Sequence, residues 1–339
     1  MTALHLNVSL AALQRWAFNK PLLAGARAIA ELPNDPALPA LLAIRALGLA
    51  AAIPALVLEG FSAEFALRGY TPGSRATLEV RTEDRRFAIK AYAEDPTPEA
   101  DLYTTLADAG LTGDAPVRVP PLLGWNRELR VLAIGWLEGP TAKELIEQGQ
   151  GRRAGELAAR WVQRAVSLPV KFGRPLGAAQ IVHKARNWAA TIVAADPALG
   201  NHAAALAELL ALTKPNEDSP RLLHGTLYSR HVLDLGNGAG LIDWDRSGQG
   251  PIELDAGIFL ASTWQLGVRH ERLAGEVAQV QSAFLAATAG LLDERSLSWH
   301  RTAMLLRLAN KIKHRPSEGS LARAAALLAE AARLAEAAG

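Results

Sequence analysis

The chain has 339 residues, no cysteine, and a formal net charge of +2 from 36 basic and 34 acidic side chains. This length allows two lobes with sizeable cores, and the lack of cysteine excludes disulfides and thiol chemistry. Because basic and acidic residues are interspersed without a basic tract, the composition gives no indication of nucleic-acid binding.

The first 60 residues are predicted to form a helical extension. Their most apolar run, residues 37–60, is long enough to resemble a membrane span, but Arg45 divides it and Pro54 breaks it. Two packed helices are therefore predicted, and no membrane association. The amino terminus also lacks the basic start and cleavage site of a signal peptide, so a cytoplasmic location is expected.

Three consecutive strands are predicted next, at residues 63–70, 75–82 and 86–92. The turn between the first two, at residues 72–74, has the Pro-Gly-Ser composition that favours a tight reversal. On the third strand, Lys90 lies in a strongly apolar run, which indicates a partly enclosed ammonium. The ordinary alternative is a strand lysine that faces solvent.

A helix should follow the third strand, with Thr97 as N-cap, Pro98 at the first helical position and Gly110 as the stop signal. Glu99 is the best candidate for a carboxylate that pairs with the strand lysine. Asp101 competes with it, and Glu99 could instead be a first-turn acid that the helix dipole favours.

Two more strands, within residues 117–125 and 128–139, complete a sheet lobe predicted over residues 61–138. A capping box from Thr141 to Glu144 then begins a mainly helical lobe over residues 139–339. Amphipathic or apolar runs predict its other helices. These runs span residues 151–168, 178–196, 201–213, 253–267, 271–291 and 321–339.

The most informative stretch of the helical lobe lies within residues 222–245. Two short apolar strands, 232–235 and 239–243, flank Asn237-Gly238, the signal of a two-residue hairpin turn. His224 precedes this hairpin and Asp243 ends it, so both should reach one edge of the sheet. Such a unit can hold a metal-nucleotide complex, although a strand end with a solvated turn is the plain alternative.

This stretch is similar to the aminoglycoside phosphotransferase family, which also includes choline, homoserine and sugar kinases. The family pattern reads H-G-D-x-x-x-x-N-[VI]-[LI], then a hairpin, then [IL]-D-[FW]-[DE]. The resemblance implies an α+β, protein-kinase-like fold with an antiparallel-sheet lobe and a larger helical lobe. The matching positions are His224, Gly225, Val232, Leu233, Ile242, Asp243, Trp244, Asp245, Gly250 and Asp255.

Two positions depart from the family pattern. Thr226 stands where the family has its catalytic aspartate, beside His224, and His231 stands where it has a metal-binding asparagine. A threonine hydroxyl cannot act as a general base, a role worth about 10²- to 10⁴-fold in rate. With Asp243, His231 is the implied ligand pair for Mg²⁺, although Mg²⁺ prefers oxygen ligands.

The resemblance also implies a site for ATP or another nucleoside triphosphate. Lys90 and Glu99 would serve the phosphates, which the turn containing Gly73 and Ser74 would cover with its backbone N–H groups. The adenine would lie against a hinge, where Trp136 either stacks on the base or packs between the lobes. The hinge maps to Gly135, Trp136 and Leu137.

The acceptor is implied to be a hydroxyl of a small molecule, with Tyr228, Arg230 and Asp245 as the nearest candidates to contact it. Each has an ordinary alternative as a packing or solvated side chain. Two hypotheses remain open: an ATP-dependent phosphotransferase weakened by Thr226, and a pseudokinase that binds a nucleotide and regulates a protein partner. A threonine introduced to trap an inactive complex is a third.

Overall fold

A computed structural model describes residues 23–24, 29, 31–49, 53–56, 63–217, 219–311 and 318–337. The chain divides into two compact units. The sheet unit lies within residues 1–108 and 120–137, and the helical unit within residues 109–119 and 138–339. Of the predicted amino-terminal extension, residues 1–22, 25–28, 30, 50–52 and 57–60 lie outside the described residues.

The sheet unit contains a six-stranded sheet in which all neighbouring strands are antiparallel, in the order β1-β2-β3-β4-β7-β6. Its strands are β1 (Leu23–Ala24), β2 (Glu64–Thr71), β3 (Arg75–Arg81), β4 (Arg86–Tyr92), β6 (Leu122–Asn126) and β7 (Val131–Gly135). The three strands predicted between residues 63 and 92 are confirmed to within one residue.

The segment before β2 packs on this sheet. Helix α1 (Pro39–Leu47) buries Leu41 and Ile44 completely, in one apolar core with Leu78 of β3 and Ile89 of β4. The second predicted helix of this segment is only a single 3₁₀ turn in the described residues, at Pro54–Leu56.

Helix α2 (Thr97–Asp108) follows β4 and carries Glu99 in its first turn. The prediction of Thr97 as N-cap was wrong, because Thr97 already lies in the helix. Asp95 supplies the capping oxygen instead, since its Oδ1 accepts the Thr97 backbone N–H at 2.9 Å.

The helical unit is built from eight helices in the described residues. They are α3 (Ala142–Glu147), α4 (Gly151–Ala165), α5 (Ala178–Ala195), α6 (Pro197–Leu212), α7 (Ile252–Arg269), α8 (Ala274–Ala287), α9 (Glu294–Ala309) and α10 (Glu318–Ala337). The capping box at Thr141 is confirmed, with the Thr141 side chain and Glu144 bonding each other's backbone N–H. Within the described ranges, no helix is both long and apolar enough to span a bilayer.

Two small sheets position the loops of the helical unit. One joins β10 (Val232–Asp234), β11 (Ala239–Leu241) and β5 (Val117–Arg118), and the other joins β8 (Arg174–Pro175), β12 (Gly248–Gly250) and β9 (Arg221–Leu223). The predicted two-residue turn at Asn237-Gly238 was wrong. Asp234 pairs with Ala239, so four residues form the loop, and Gly236 supplies its positive φ of 77°.

Candidate active site

In the sheet unit, Lys90 forms the predicted ion pair with Glu99. Lys90 Nζ lies 2.7 Å from Glu99 Oε1, and both side chains are largely buried. The Tyr92 hydroxyl donates to the other carboxylate oxygen of Glu99. The alternative partner, Asp101, is exposed. Adjacent elements explain the pair, since β4 presents the lysine and the first turn of α2 presents the acid.

The environment keeps the Lys90 ammonium charged. Burial acts to lower the pKa of Lys90, but Tyr103, Tyr92 and the Glu99 carboxylate outweigh it and raise that pKa well above its ordinary value. A positive charge held in place by a buried carboxylate is suited to bind an anionic group such as a phosphate.

The glycine turn between β2 and β3 is already hydrogen-bonded within the chain. Gly73 N donates to Asp35 Oδ2 at 2.8 Å, and Ser74 N donates to Thr71 O at 3.1 Å. Asp35 is buried and also accepts the Tyr70 hydroxyl at 3.0 Å. The Gly73 N–H, predicted to serve a phosphate, therefore has a carboxylate partner from the amino-terminal segment.

The predicted hinge residues follow the end of β7. Gly135 N donates to Pro121 O at 2.8 Å, and Trp136 N donates to Arg86 O at 3.3 Å. The Arg86 guanidinium lies 4.1 Å from the centroid of the Trp136 ring, so one face of the indole is covered by a cation. Leu137 is partly buried and is the last residue of the sheet unit.

In the helical unit, His224 is fully buried and held as a neutral imidazole. Its Nε2 lies 2.9 Å from the carbonyl oxygen of Ile242, so Nε2 carries the proton. Burial, and next the charge of His231, lowers the pKa of His224 to about 3. His224 is thus a weak base without solvent contact, and its geometry fits a residue that positions the loop.

The turn after His224 is organised by Asp255 of α7, which is also fully buried. Its carboxylate accepts the backbone N–H groups of His224 and Gly225 and the indole N–H of Trp161, all at 2.7 to 2.8 Å. Gly225 has a φ of 75°, and a Cβ there would meet the Arg246 carbonyl oxygen at 2.1 Å. Only glycine fits this position.

Thr226 is partly exposed, and its hydroxyl points back into the chain. Thr226 Oγ1 lies 3.3 Å from His224 Nδ1, which is the unprotonated nitrogen and so accepts the hydroxyl proton. The Thr226 carbonyl accepts Tyr228 N at 2.6 Å and lies 2.8 Å from His231 Nδ1. This position therefore offers a hydroxyl and no carboxylate.

His231 and Asp243 are in direct contact. His231 Nε2 lies 3.1 Å from Asp243 Oδ2, and His231 Nδ1 faces the Thr226 carbonyl. Both ring nitrogens thus face oxygen acceptors. A doubly protonated ring satisfies both contacts, whereas a neutral ring with its proton on Nδ1 turns a lone pair toward the carboxylate.

These residues fit Mg²⁺ in part. The Asp243 carboxylate is 42% exposed and is a hard oxygen ligand of the kind Mg²⁺ prefers. His231 fits less well, because it offers a nitrogen and bonds to Asp243 itself. Throughout the described ranges, no cluster of three His, Cys, Asp or Glu side chains is arranged to hold a metal ion. Any Mg²⁺ here would need phosphate and water oxygens to complete its shell.

The acceptor-side candidates surround the same loop. The Arg230 guanidinium lies 4.5 Å from the centroid of the Tyr228 ring, and Tyr228 in turn packs edge-on against His231. Asp245 is partly buried and follows Trp244, whose indole is fully buried against His224 and Trp161. Sequence reasoning identified these positions but not the role of Asp255 in tying the loop to α7.

A family model described as the phosphotransferase enzyme family matches residues 57–292, which is more than half of the chain. The chain belongs to this family. A search of curated proteins gave no match. The family resemblance read from the loop and hairpin is therefore confirmed.

Solved kinase and phosphotransferase structures share the fold at low identity. A thermostable mutant of aminoglycoside phosphotransferase APH(4)-Ia superposes with a TM-score of 0.57 at 14% identity, over 83% of this chain and 98% of that one. Amicoumacin kinase hAmiN, in complex with AMP-PNP and Ca²⁺, superposes with a TM-score of 0.53 at 14% identity, over 80% of this chain and 88% of that one. Choline kinase LicA from Streptococcus pneumoniae superposes with a TM-score of 0.50 at 13% identity, over 79% of this chain and 92% of that one. The predicted α+β, protein-kinase-like fold is confirmed.

Proposed function

We propose that the chain binds Mg-ATP and transfers its terminal phosphoryl group slowly to a hydroxyl of a small molecule. The observation that carries this proposal is the buried Lys90–Glu99 ion pair, which fixes a permanent positive charge in the sheet unit. A pair of this kind costs desolvation free energy, and holding anionic phosphates is a use for it.

In this proposal Asp243 holds the metal, and His231 fixes the orientation of the Asp243 carboxylate. When bound, Mg²⁺ would neutralise charge on the phosphate oxygens. His224 and Asp255 hold the loop that presents Thr226. The Thr226 hydroxyl can orient an acceptor hydroxyl but cannot remove its proton. The acceptor oxygen would bond to the γ-phosphorus as the bond to the leaving ADP oxygen breaks, and the acceptor proton would pass late to a phosphate oxygen or to water. A loose transition state tolerates a weakly activated nucleophile.

The second candidate is a pseudokinase, a nucleotide-binding module that regulates a protein partner. One observation favours it specifically: the position of the catalytic aspartate holds a hydroxyl that donates to a buried histidine instead of facing outward as a base. In this case the Lys90–Glu99 pair serves binding alone.

Substitutions of Thr226 separate the two candidates. Turnover of ATP is measured against a panel of small-molecule alcohols for the unaltered chain, Thr226→Asp and Thr226→Asn. The phosphotransferase proposal expects slow turnover by the unaltered chain and an increase of about 10²- to 10⁴-fold for Thr226→Asp. Thr226→Asn is the matched control, because it has the shape of aspartate without its basicity. No turnover by the unaltered chain, with nucleotide still bound, would leave the pseudokinase.

Nucleotide binding is tested separately by thermal shift with AMP-PNP and Mg²⁺. At a ligand concentration near 100 times Kd, bound nucleotide stabilises the fold by about 2.7 kcal/mol. Lys90→Met and Asp243→Ala should each lose most of this stabilisation. Lys143→Met is the control, since Lys143 forms only a surface pair with Glu147. Unchanged binding in both site variants would refute the site assignment.

A further inference from the structure

Basic side chains gather around the acceptor side of the helical unit, although the chain as a whole is nearly neutral. They come from separate elements: β8, α5, the 3₁₀ turn before β10, the loop after Trp244, and the end of α9. We call this set the cationic patch. Its members are Arg174, Lys184, Arg230, Arg246, Arg307 and Lys311. Arg307 is half-buried and the other five residues are exposed.

Arg307 is the member of the patch whose charge acts on both of its lysines. Desolvation lowers the pKa of Lys184, and the charges of Arg174, Arg307 and Arg246 lower it further. Lys311 is exposed as a residue, but partial desolvation acts on its ammonium. This desolvation lowers the pKa of Lys311 to about 8, together with the charges of Arg269, Arg307 and Arg230.

In the described residues, direct ion pairs do not tie the members of the patch to acids. Other arginines of the same unit behave differently: Arg153 pairs with Asp234 at 2.7 Å, and Arg186 with Glu208 at 3.1 Å. Like charges held together without counter-charges oppose folding, and an anionic ligand removes that cost.

The patch continues directly into the loop of Thr226. Tyr228 N donates to the Thr226 carbonyl, and the Arg230 guanidinium covers the Tyr228 ring. Tyr228 and Arg307 line one shallow depression, with Ile258, Met304 and Leu308 as its apolar walls. A molecule whose hydroxyl lay beside Thr226 would therefore meet arginines on this side.

We propose that the acceptor is a small molecule bearing an oxyanion, a phosphate or a carboxylate, which the cationic patch binds while a hydroxyl of the same molecule lies at Thr226. This inference rests on the proposed function. Arginine forks match the geometry of both oxyanions, and a polycationic acceptor would be repelled. The acceptor class thus differs from that of the aminoglycoside enzyme whose fold the chain shares.

Calorimetric titration of the full chain with AMP-PNP and Mg²⁺ present tests the proposal. The probes are glucose 6-phosphate, gluconate, glucose and kanamycin, which separate phosphate, carboxylate, neutral and cationic chemistry. We expect glucose 6-phosphate or gluconate to bind at least 10-fold more tightly than glucose and kanamycin, and this preference to shrink as salt is raised. The stronger of the two anions identifies the group recognised.

Two variants locate the binding. One is the double variant Arg230→Gln/Arg307→Gln, and the other is Lys311→Gln. Each should weaken binding of the preferred anion by about 10-fold or more and retain the affinity for AMP-PNP. The matched control is Arg152→Gln, an exposed arginine that pairs only with Glu156 on α4. If a variant fails to fold, the salt dependence of anion binding by the unaltered chain still tests the proposal.

Several results would overturn the proposal. If anionic and neutral probes bind equally while AMP-PNP binds normally, the proposal of an anionic acceptor is refuted and the proposed phosphotransferase function still stands. Loss of AMP-PNP affinity in the patch variants assigns the patch to the nucleotide. Tighter binding of a random oligonucleotide than of either anion, lost in the same variants, assigns it to nucleic acid. Failure of AMP-PNP to bind the unaltered chain refutes the proposed function itself.

Discussion

At the scale of single residues, two buried groups in the loop of Thr226 make stability depend on pH in opposite directions. The pKa of His224 is lowered from 6.5 to about 3 by burial and by His231. Between these values the unfolded chain binds a proton that the folded chain does not. The contribution of His224 to the free energy of unfolding therefore rises with pH, is fully present above pH 6.5, and is lost as pH falls toward 3.

Asp255 makes the free energy of unfolding depend on pH in the opposite direction. Burial raises the pKa of its carboxyl from 3.8 to about 6, although Trp161, His224 and Gly225 donate hydrogen bonds to the charged form. Between these values the folded chain holds a proton that the unfolded chain has released. Its contribution to the free energy of unfolding therefore falls as pH rises through this window.

We expect the two contributions to offset each other between about pH 4 and pH 6, and single variants to reveal them. In His224→Gln the stability should fall with rising pH, and in Asp255→Asn it should rise, each by at most about 1.4 kcal/mol per pH unit. Urea unfolding at several pH values measures these slopes. His202→Gln, an exposed histidine on α6, is the control. Parallel curves for all variants would contradict the expectation.

At the scale of elements, the contact between the amino-terminal segment and the glycine turn affects nucleotide binding. Asp35 takes the Gly73 N–H that the proposed function assigns to a phosphate, and this hydrogen bond is the main cause that lowers the pKa of Asp35. Removing the carboxylate frees a donor and removes a negative charge.

Asp35→Ala should therefore bind AMP-PNP about 3- to 10-fold more tightly, as expected for one hydrogen bond regained. Asp35→Asn keeps a hydrogen-bond acceptor without the charge, so its affinity for AMP-PNP should lie between those of the unaltered chain and Asp35→Ala. Calorimetric titration measures the affinities. Asp84→Asn is the control, because Asp84 is an exposed acid in the turn after β3. An unchanged affinity in Asp35→Ala would show that the Gly73 N–H does not serve the nucleotide.

Local features of the sequence predicted the elements well. Strand alternation gave β2 to β4, and capping residues gave the start of α3. Lys90 and Glu99 were paired correctly from the family resemblance, which implies a lysine on the third strand and an acid on the helix that follows. Helix α9 was missed, because nearly its whole surface is buried and no amphipathic period marks it. Contacts between distant segments, such as Asp35 with Gly73, leave no local signal.

At the scale of the whole molecule, the fold needs residues that precede the family match. The family model begins at residue 57, yet Leu38, Leu41, Ile44 and Ile53 lie in the core of the sheet unit and are at most 1% exposed. The core of the sheet unit is therefore completed by residues that lie outside the family match.

Leu41→Ala should lower the free energy of unfolding by about 2 to 5 kcal/mol, the usual cost of a cavity in a packed core. Leu47→Ala on the same helix is the matched control, because Leu47 is 72% exposed. Its effect should stay within about 0.5 kcal/mol. Urea unfolding compares the two variants, and similar losses in both would show that α1 does not complete the core.

The backbone at Asp243 shows where this chain gives up folding stability. Its φ of 70° lies in the left-handed region, which glycine adopts freely and which aspartate tolerates better than most residues but still at a cost of about 1 kcal/mol. Selection for stability alone would favour glycine here. An aspartate held in this conformation accords with a functional use of its carboxylate, and the proposed function gives it one as the metal ligand.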